Sequence, residues 1–270
     1  MVWKVKLKRT FNRAKRAPWI IFQRLVNKPT EVNSSVSDLF VWRNDNEIST
    51  SFEVMDIFKL FDSISSSGQL IIFDQNGKLV LKKTIVFNNA LKKSLNFSEF
   101  IERDFGAFGT FAFFHDKTPG SFIDSGSYIS ERGYVGYKTH ELNFYSYVHG
   151  NFDAISFSRE NSKLECISST SFFSRDYNLQ YSIEFGSEYT FYLTNNSKKS
   201  IVANFILYDS LVSSKVIHNE KVFIESKGVK FYRVSMPKSD IGRLVIRSKL
   251  IMARPLVFKR TKNKLDCFHG

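Results

Sequence analysis

Arg132 and Arg254 are each followed within 15–17 residues by a histidine and a glycine, His149-Gly150 and His269-Gly270. Around the first arginine, Glu131-Arg-Gly-Tyr-Val-Gly-Tyr137 sets a carboxylate, a guanidinium and two phenols about two glycines. The glycines allow close approach of backbone or ligand. Arginine offers a planar fork for carboxylate or phosphate. Histidine serves as acid, base or metal ligand near neutral pH. Asn151 adds amide donors and an acceptor. Glu131, Arg132, Tyr134, Tyr137, His149 and Asn151 therefore form a candidate polar pocket with aromatic walls, suited to a sugar or sugar phosphate. Arg254 and His269 are their second-copy equivalents. The competing expectation is structural: repeated Arg and His can bridge two packed bodies through hydrogen bonds and ion pairs.

Other chemistries find little support. Read as an enzyme, the chain would use His149 as general acid or base, Glu131 as its partner and Arg132 to hold an anionic group. His115, His140, His149 and His269 are scattered without metal-ligand spacing, so no metal is expected. No Walker loop, Gly-x-Gly-x-x-Gly or Gly-x-Ser-x-Gly occurs, and no cofactor is expected. Tyr128, Tyr134, Tyr137, Tyr145 and Tyr147 cluster within twenty residues. Such rings stack on sugar faces, though Tyr is also a common strand residue.

The elements that carry these residues recur. Gln69–Asp74 reads like Asn204–Asp209, Gly109–Phe113 like Gly242–Ile246, Arg132–Val135 like Arg254–Val257, and Val148–Gly150 like Phe268–Gly270. Four landmarks in one order predict an internal duplication. Short alternating runs separated by turn residues predict strands, and Asp74-Gln-Asn-Gly77 reads as a hairpin turn whose Asp caps it. Val54, Ile57, Phe58, Leu60 and Phe61 predict a short amphipathic helix in an insertion, Glu53–Ser67. The expected fold is all-β: two duplicated, jelly-roll-like β-sandwiches behind a basic amphipathic helical arm. Boundaries are set at 1–36 for the arm, 37–150 and 181–270 for the repeats, and 151–180 for a connecting segment. The repeats are expected to pack through an interface that buries the Arg and His landmarks.

Composition supports a packed core, with 43% hydrophobic and 16% aromatic residues. The net charge of +13 is confined to the ends: residues 1–28 hold nine Lys/Arg and no acid, and residues 259–264 hold four. The body is neutral, which argues against a broad nucleic-acid face. In the arm, Trp3, Phe11, Trp19 and Phe22 share apolar stripes opposite basic ones, a pattern that suits contact with an anionic membrane surface. Docking on a protein, or contact with nucleic acid, are the alternatives. Two cysteines and no long apolar stretch point to the cytoplasm. The functional expectation is a non-catalytic binding protein, peripheral to the membrane, for a glycan or lipid-linked saccharide in surface polysaccharide assembly. A sugar-active enzyme and a viral or phage shell protein with a nucleic-acid-binding arm are the alternatives.

Overall fold

A computed structural model of the chain describes residues 34–270, except 103–104, 117–129, 132, 151–152, 159, 213–214, 237–240, 252–253 and 263. The expected helical arm, with Trp3, Phe11, Trp19 and Phe22, lies outside the described residues.

The described chain is nearly all β. Its first half holds β1 (Ser34–Ser37), β2 (Phe40–Arg43), β3 (Ile48–Met55), β4 (Ser67–Asp74), β5 (Leu79–Val86) and β6 (Lys92–Asn96). It continues with β7 (Phe108–His115), β8 (Ser130–Glu131), β9 (Tyr134–Thr139), β10 (Ser146–His149), β11 (Ile155–Ser158) and β12 (Lys163–Cys166). The second half holds β13 (Thr170–Glu184), β14 (Glu188–Thr194), β15 (Ile201–Tyr208) and β16 (Val216–Ile224). It ends with β17 (Val229–Val234), β18 (Ile241–Leu250), β19 (Leu256–Thr261) and β20 (Lys264–His269). The expected helix is α1 (Ile57–Asp62), capped by the Asp56 carboxylate on Lys59 N and anchored by buried Phe58.

The first half has three layers. Sheet β2-β7-β4-β5 lies between β10-β9-β3-β6 and the small sheet β12-β11-β1-β8. This explains the near-continuous apolar runs of β4 and β7, because both of their faces are covered. Leu70, Ile72, Phe111 and Phe113 face the sheet containing β3, where Phe40, Phe52 and Phe111 meet at ring-centroid distances of 5.0–5.2 Å. Ile71, Phe73, Ala112 and Phe114 face the third layer, against Ala154, Ile155 and Phe157. Residues 151–180, expected as a connecting segment, thus supply β11 and β12 to this layer and open β13.

The second half has two layers, β13-β18-β15-β16 and β17-β14-β19-β20. Alternation along β15 and β18 sends Phe205, Leu207, Leu244 and Ile246 into its core.

The halves share apolar surface. Tyr192, Leu256, Phe258, Leu265 and Cys267 extend the first core, and Tyr137 packs on Phe258 at 4.7 Å. The hairpin turn of β4–β5, held by Asp74 Oδ1 accepting from Asn76 N and Lys78 N at 2.8 and 2.9 Å, abuts the turn at 225–228. Val229 N donates to Gln75 O across this contact at 3.0 Å. Contrary to expectation, Arg254 and His149 are exposed and only part of His269 is covered. Apolar rings build the junction because burying a guanidinium or imidazole without full pairing carries a desolvation penalty. Arginines do reach it: Arg43, buried, pairs with Asp45 at 2.5 Å and Glu47 at 2.8 Å and donates to Tyr192 Oη at 3.4 Å, and Arg260 of the second half lies 3.6 Å from Glu47. Among the described residues no helix is long and apolar enough to cross a membrane.

Candidate functional site

The antiparallel register of β9 and β10 places His149 opposite Tyr134 and Tyr147 opposite Gly136. Side chains alternate across a strand. Val135, Tyr137 and Val148 therefore point into the core, while Tyr134, Gly136, Tyr147 and His149 point out. This alternation divides the residues that sequence alone groups together. Tyr134 is 56% exposed and meets His149 edge-to-face at 6.3 Å. Tyr137 is 1% exposed, and its hydroxyl donates to Val41 O at 2.7 Å. It is a core strut, not the ligand platform expected for it. Burial also pushes its phenol well above the ordinary range. Glu131 is placed by its backbone in β8, opposite Ser37. Arg132 and Asn151 lie outside the described residues.

Behind Tyr137 lies a cavity of about 30 Å³ between the halves, lined by Asp38, Tyr137, His149, Tyr192, Arg254 and His269 among others. His149, Arg254 and His269 do converge, but on a space that holds no more than a few water molecules. His269 Nε2 donates to the His149 carbonyl at 2.5 Å, and His149 Nδ1 to Gly150 O at 2.6 Å. Burial lowers the His269 pKa, and the Arg254 and His149 charges act the same way against the carbonyl bond. These contacts are those of a joint between halves.

The outward face of β10-β9-β3-β6 is the larger surface. Beside Tyr134 sits Glu53 of β3, and beside Glu53 sits Ser94 of β6. Glu53 forms an ion pair with Lys92 at 2.6 Å and accepts from Ser94 Oγ at 2.7 Å. Ser51 and Ser94 hydroxyls lie 3.1 Å apart. Partial burial works to raise the Glu53 pKa, but Lys92 and Ser94 outweigh it and hold the carboxyl below its usual range. Tyr147 is 45% exposed and its ring covers Gly136, where an added Cβ would come within 2.6 Å of it. Tyr145 packs on Tyr147 at 5.8 Å, with the Lys138 ammonium 5.6 Å from the Tyr145 ring. The neighbouring Phe144 is exposed.

The result is a shelf of phenol rings edged by a fixed carboxylate, hydroxyls and ammonium groups. Aromatic faces take the C–H side of a sugar, and the polar edge can orient its hydroxyls. Glu53, Ser94 and Lys92 escape a sequence reading because Glu53 looks like the start of the helical insertion. The signal was the alternation of Ile48–Met55, which carries β3 through Glu53.

No protein-family model matches the chain. No curated protein matches it either. Among solved structures, the chain is similar to a calcium-binding mutant of Bacteroides uniformis beta-glucuronidase 2, with 11% identity and a TM-score of 0.18. That match covers 86% of this chain and 25% of the glucuronidase chain, so the chain spans about a quarter of its length.

Proposed function

We propose that the chain is a non-catalytic glycan-binding protein, built from two copies of one eight-stranded sandwich and held at the cytoplasmic membrane by its basic arm. The observation that carries the binding role is the shelf of exposed Tyr134 and Tyr147 and half-buried Tyr145 around Glu53, Lys92 and Ser94. A glycan or the saccharide of a lipid-linked precursor is the ligand class that matches this mixture of ring faces and polar edges.

Strand order supports the repeat. When β2, β3, β4, β5, β6, β7, β9 and β10 are counted one to eight, their sheets read 1-6-3-4 and 8-7-2-5. Strands β13 to β20 counted likewise read 1-6-3-4 and 5-2-7-8, the same pairings taken from the other edge. Registers agree with the sequence landmarks: Val135 faces Phe52 where Val257 faces Phe191, and His149 faces Tyr134 where His269 faces Leu256. On this reading the first unit is about 37–150, the second runs from the start of β13 at Thr170 to 270, earlier than the 181 expected from the sequence, and the shelf belongs to the first copy. The second copy has Leu256 where the first has Tyr134.

A glycan array followed by calorimetry on the best ligand tests the role. Tyr147→Ala should weaken binding about tenfold, equivalent to ~1.4 kcal/mol, with an unchanged melting temperature. An array with no ligand, or a ligand bound equally by the variant, overturns the assignment of this face.

A further inference from the structure

The outer face of β13-β18-β15-β16 carries a second surface. Its registers align outward side chains in rows across the strands. One row runs from a bulge in β13, where pairing breaks between Thr170 and Arg175, through Lys249 and Val202 to Phe223. The next row is Asp176, Arg247, Asn204 and Lys221.

The bulge holds Phe172 and Phe173 at 83% and 75% exposure, rings edge-to-face at 4.8 Å. Val202 and Phe223 in the same row are exposed as well. The matching face of the first half is apolar too, but there it is covered by the sheet β12-β11-β1-β8. Bulges re-aim side chains, and contiguous exposed apolar groups mark interaction surfaces. Lysines flank the row: Lys249 within it, Lys221 beside it, and Lys199 in the turn before β15. Asp176 and Arg247 neutralise each other, as do Glu165 and Lys198, so the face keeps three lysines against the Glu225 carboxylate, which accepts from Ser200. Phenylalanine has no hydroxyl with which to orient a saccharide, which sets this row apart from the tyrosine shelf.

We infer that the Phe172–Phe173 bulge is a membrane-contact site on the folded body: the two rings enter the acyl boundary of an anionic bilayer while the flanking lysines lie among its headgroups. This rests on the membrane part of the proposed function and adds a second contact to the arm. Apolar insertion and headgroup attraction reinforce each other, so two weak signals give stable anchoring.

The test is sedimentation of the full chain with vesicles of phosphatidylcholine alone and with a third phosphatidylglycerol. The wild type should partition to the anionic vesicles, and Phe172→Ser/Phe173→Ser should do so at least tenfold less, with an unchanged circular dichroism spectrum. As a second measurement, Ser174→Cys carrying an environment-sensitive dye should shift to the blue on the same vesicles. Wild-type binding with an unaffected double variant and no dye shift would overturn this site and leave the arm as the anchor. A wild type that ignores anionic vesicles would overturn both.

Discussion

The imidazole of His269 donates to the backbone carbonyl of His149, not to its side chain, and the two rings meet at 67° with centroids 5.7 Å apart. The joint between the two halves of the chain is therefore asymmetric at the level of atoms. His269→Ala removes the donor and leaves the carbonyl facing the small cavity, at about 1–2 kcal/mol. His149→Ala keeps the acceptor and removes an exposed ring, so its expected loss is within ~0.5 kcal/mol. Urea melts of the two variants check this. Matched destabilisation would mean that the His149 ring, not its backbone, holds the joint.

The same bond sets a pH dependence. Burial lowers the His269 pKa from an unfolded value of about 6.5. Between that value and the lower folded one, the unfolded chain binds more protons than the native chain. Stability from this group is thus present above about pH 7 and falls as pH drops through the window. His269→Gln should flatten the slope of unfolding free energy there. An unchanged slope would assign the titration elsewhere.

Arg43 ties a strand end to the opposite half. Burial acts to lower its pKa, but Tyr192, Asp45 and Glu47 together raise it. Arg43→Met should lower stability by about 1–3 kcal/mol, less than a fully buried pair because Glu47 is half exposed. Asp45 keeps the Glu47 and Ile48 amides at 2.8 and 2.9 Å, which limits the damage. In the wild type Asp45 is held below its ordinary pKa by Arg43 and these amides, against the opposing pull of burial. Its contribution is present above about pH 4 and lost as pH falls through the folded value. The variant should lose part of that acid-limb dependence.

Gly77 and Gly106 both adopt positive φ, +78° and +92°. At Gly77 an added Cβ would fall 2.0 Å from Ser226 O in the other half; at Gly106 nothing lies within 4 Å. Gly106→Ala should lose only the conformational term, about 1 kcal/mol. Gly77→Ala should lose that and also push the two turns apart, an expected total of about 2–4 kcal/mol. Equal melting temperatures for the two variants would show that the turns do not bear on each other.

How much of this is legible in the sequence differs by element. The β4–β5 hairpin, its Asp74 cap and α1 follow from local chemistry, since turn residues and a helical stripe act over a few positions. All-β character follows from the same short-range signals. The third layer does not. Ile155–Ser158 and Lys163–Cys166 read as a polar join because they are short, and their value comes from covering Ile71 and Phe114 far away in sequence. The candidate site divides in the same way. Tyr134 and His149 are rightly neighbours, while Tyr137, two residues on, is internal. A strand's period of two decides this, and only the fixed register says which phase faces out. Glu53 and Lys92 were hidden because their partners are long-range.

Gly136 offers a test of the shelf that leaves its chemistry untouched. The Tyr147 ring lies over this glycine, and an alanine Cβ would come within 2.6 Å of Tyr147 Cε1 and 3.1 Å of Tyr145 Cδ1. Both contacts are with side-chain atoms of residues that reach solvent, so the rings can tilt away. Alanine also reduces the freedom of the unfolded chain, which offsets part of the strain. Gly136→Ala should therefore change stability by less than ~1 kcal/mol. It should nevertheless displace Tyr147 and Tyr145 together and weaken glycan binding several-fold, while Ser49→Ala, on the same strand face opposite Lys138, should leave binding near wild type. Calorimetric titration and thermal melts on the pair measure both effects. Full-strength binding by Gly136→Ala would show that the rings' position over the glycine is not what the ligand reads.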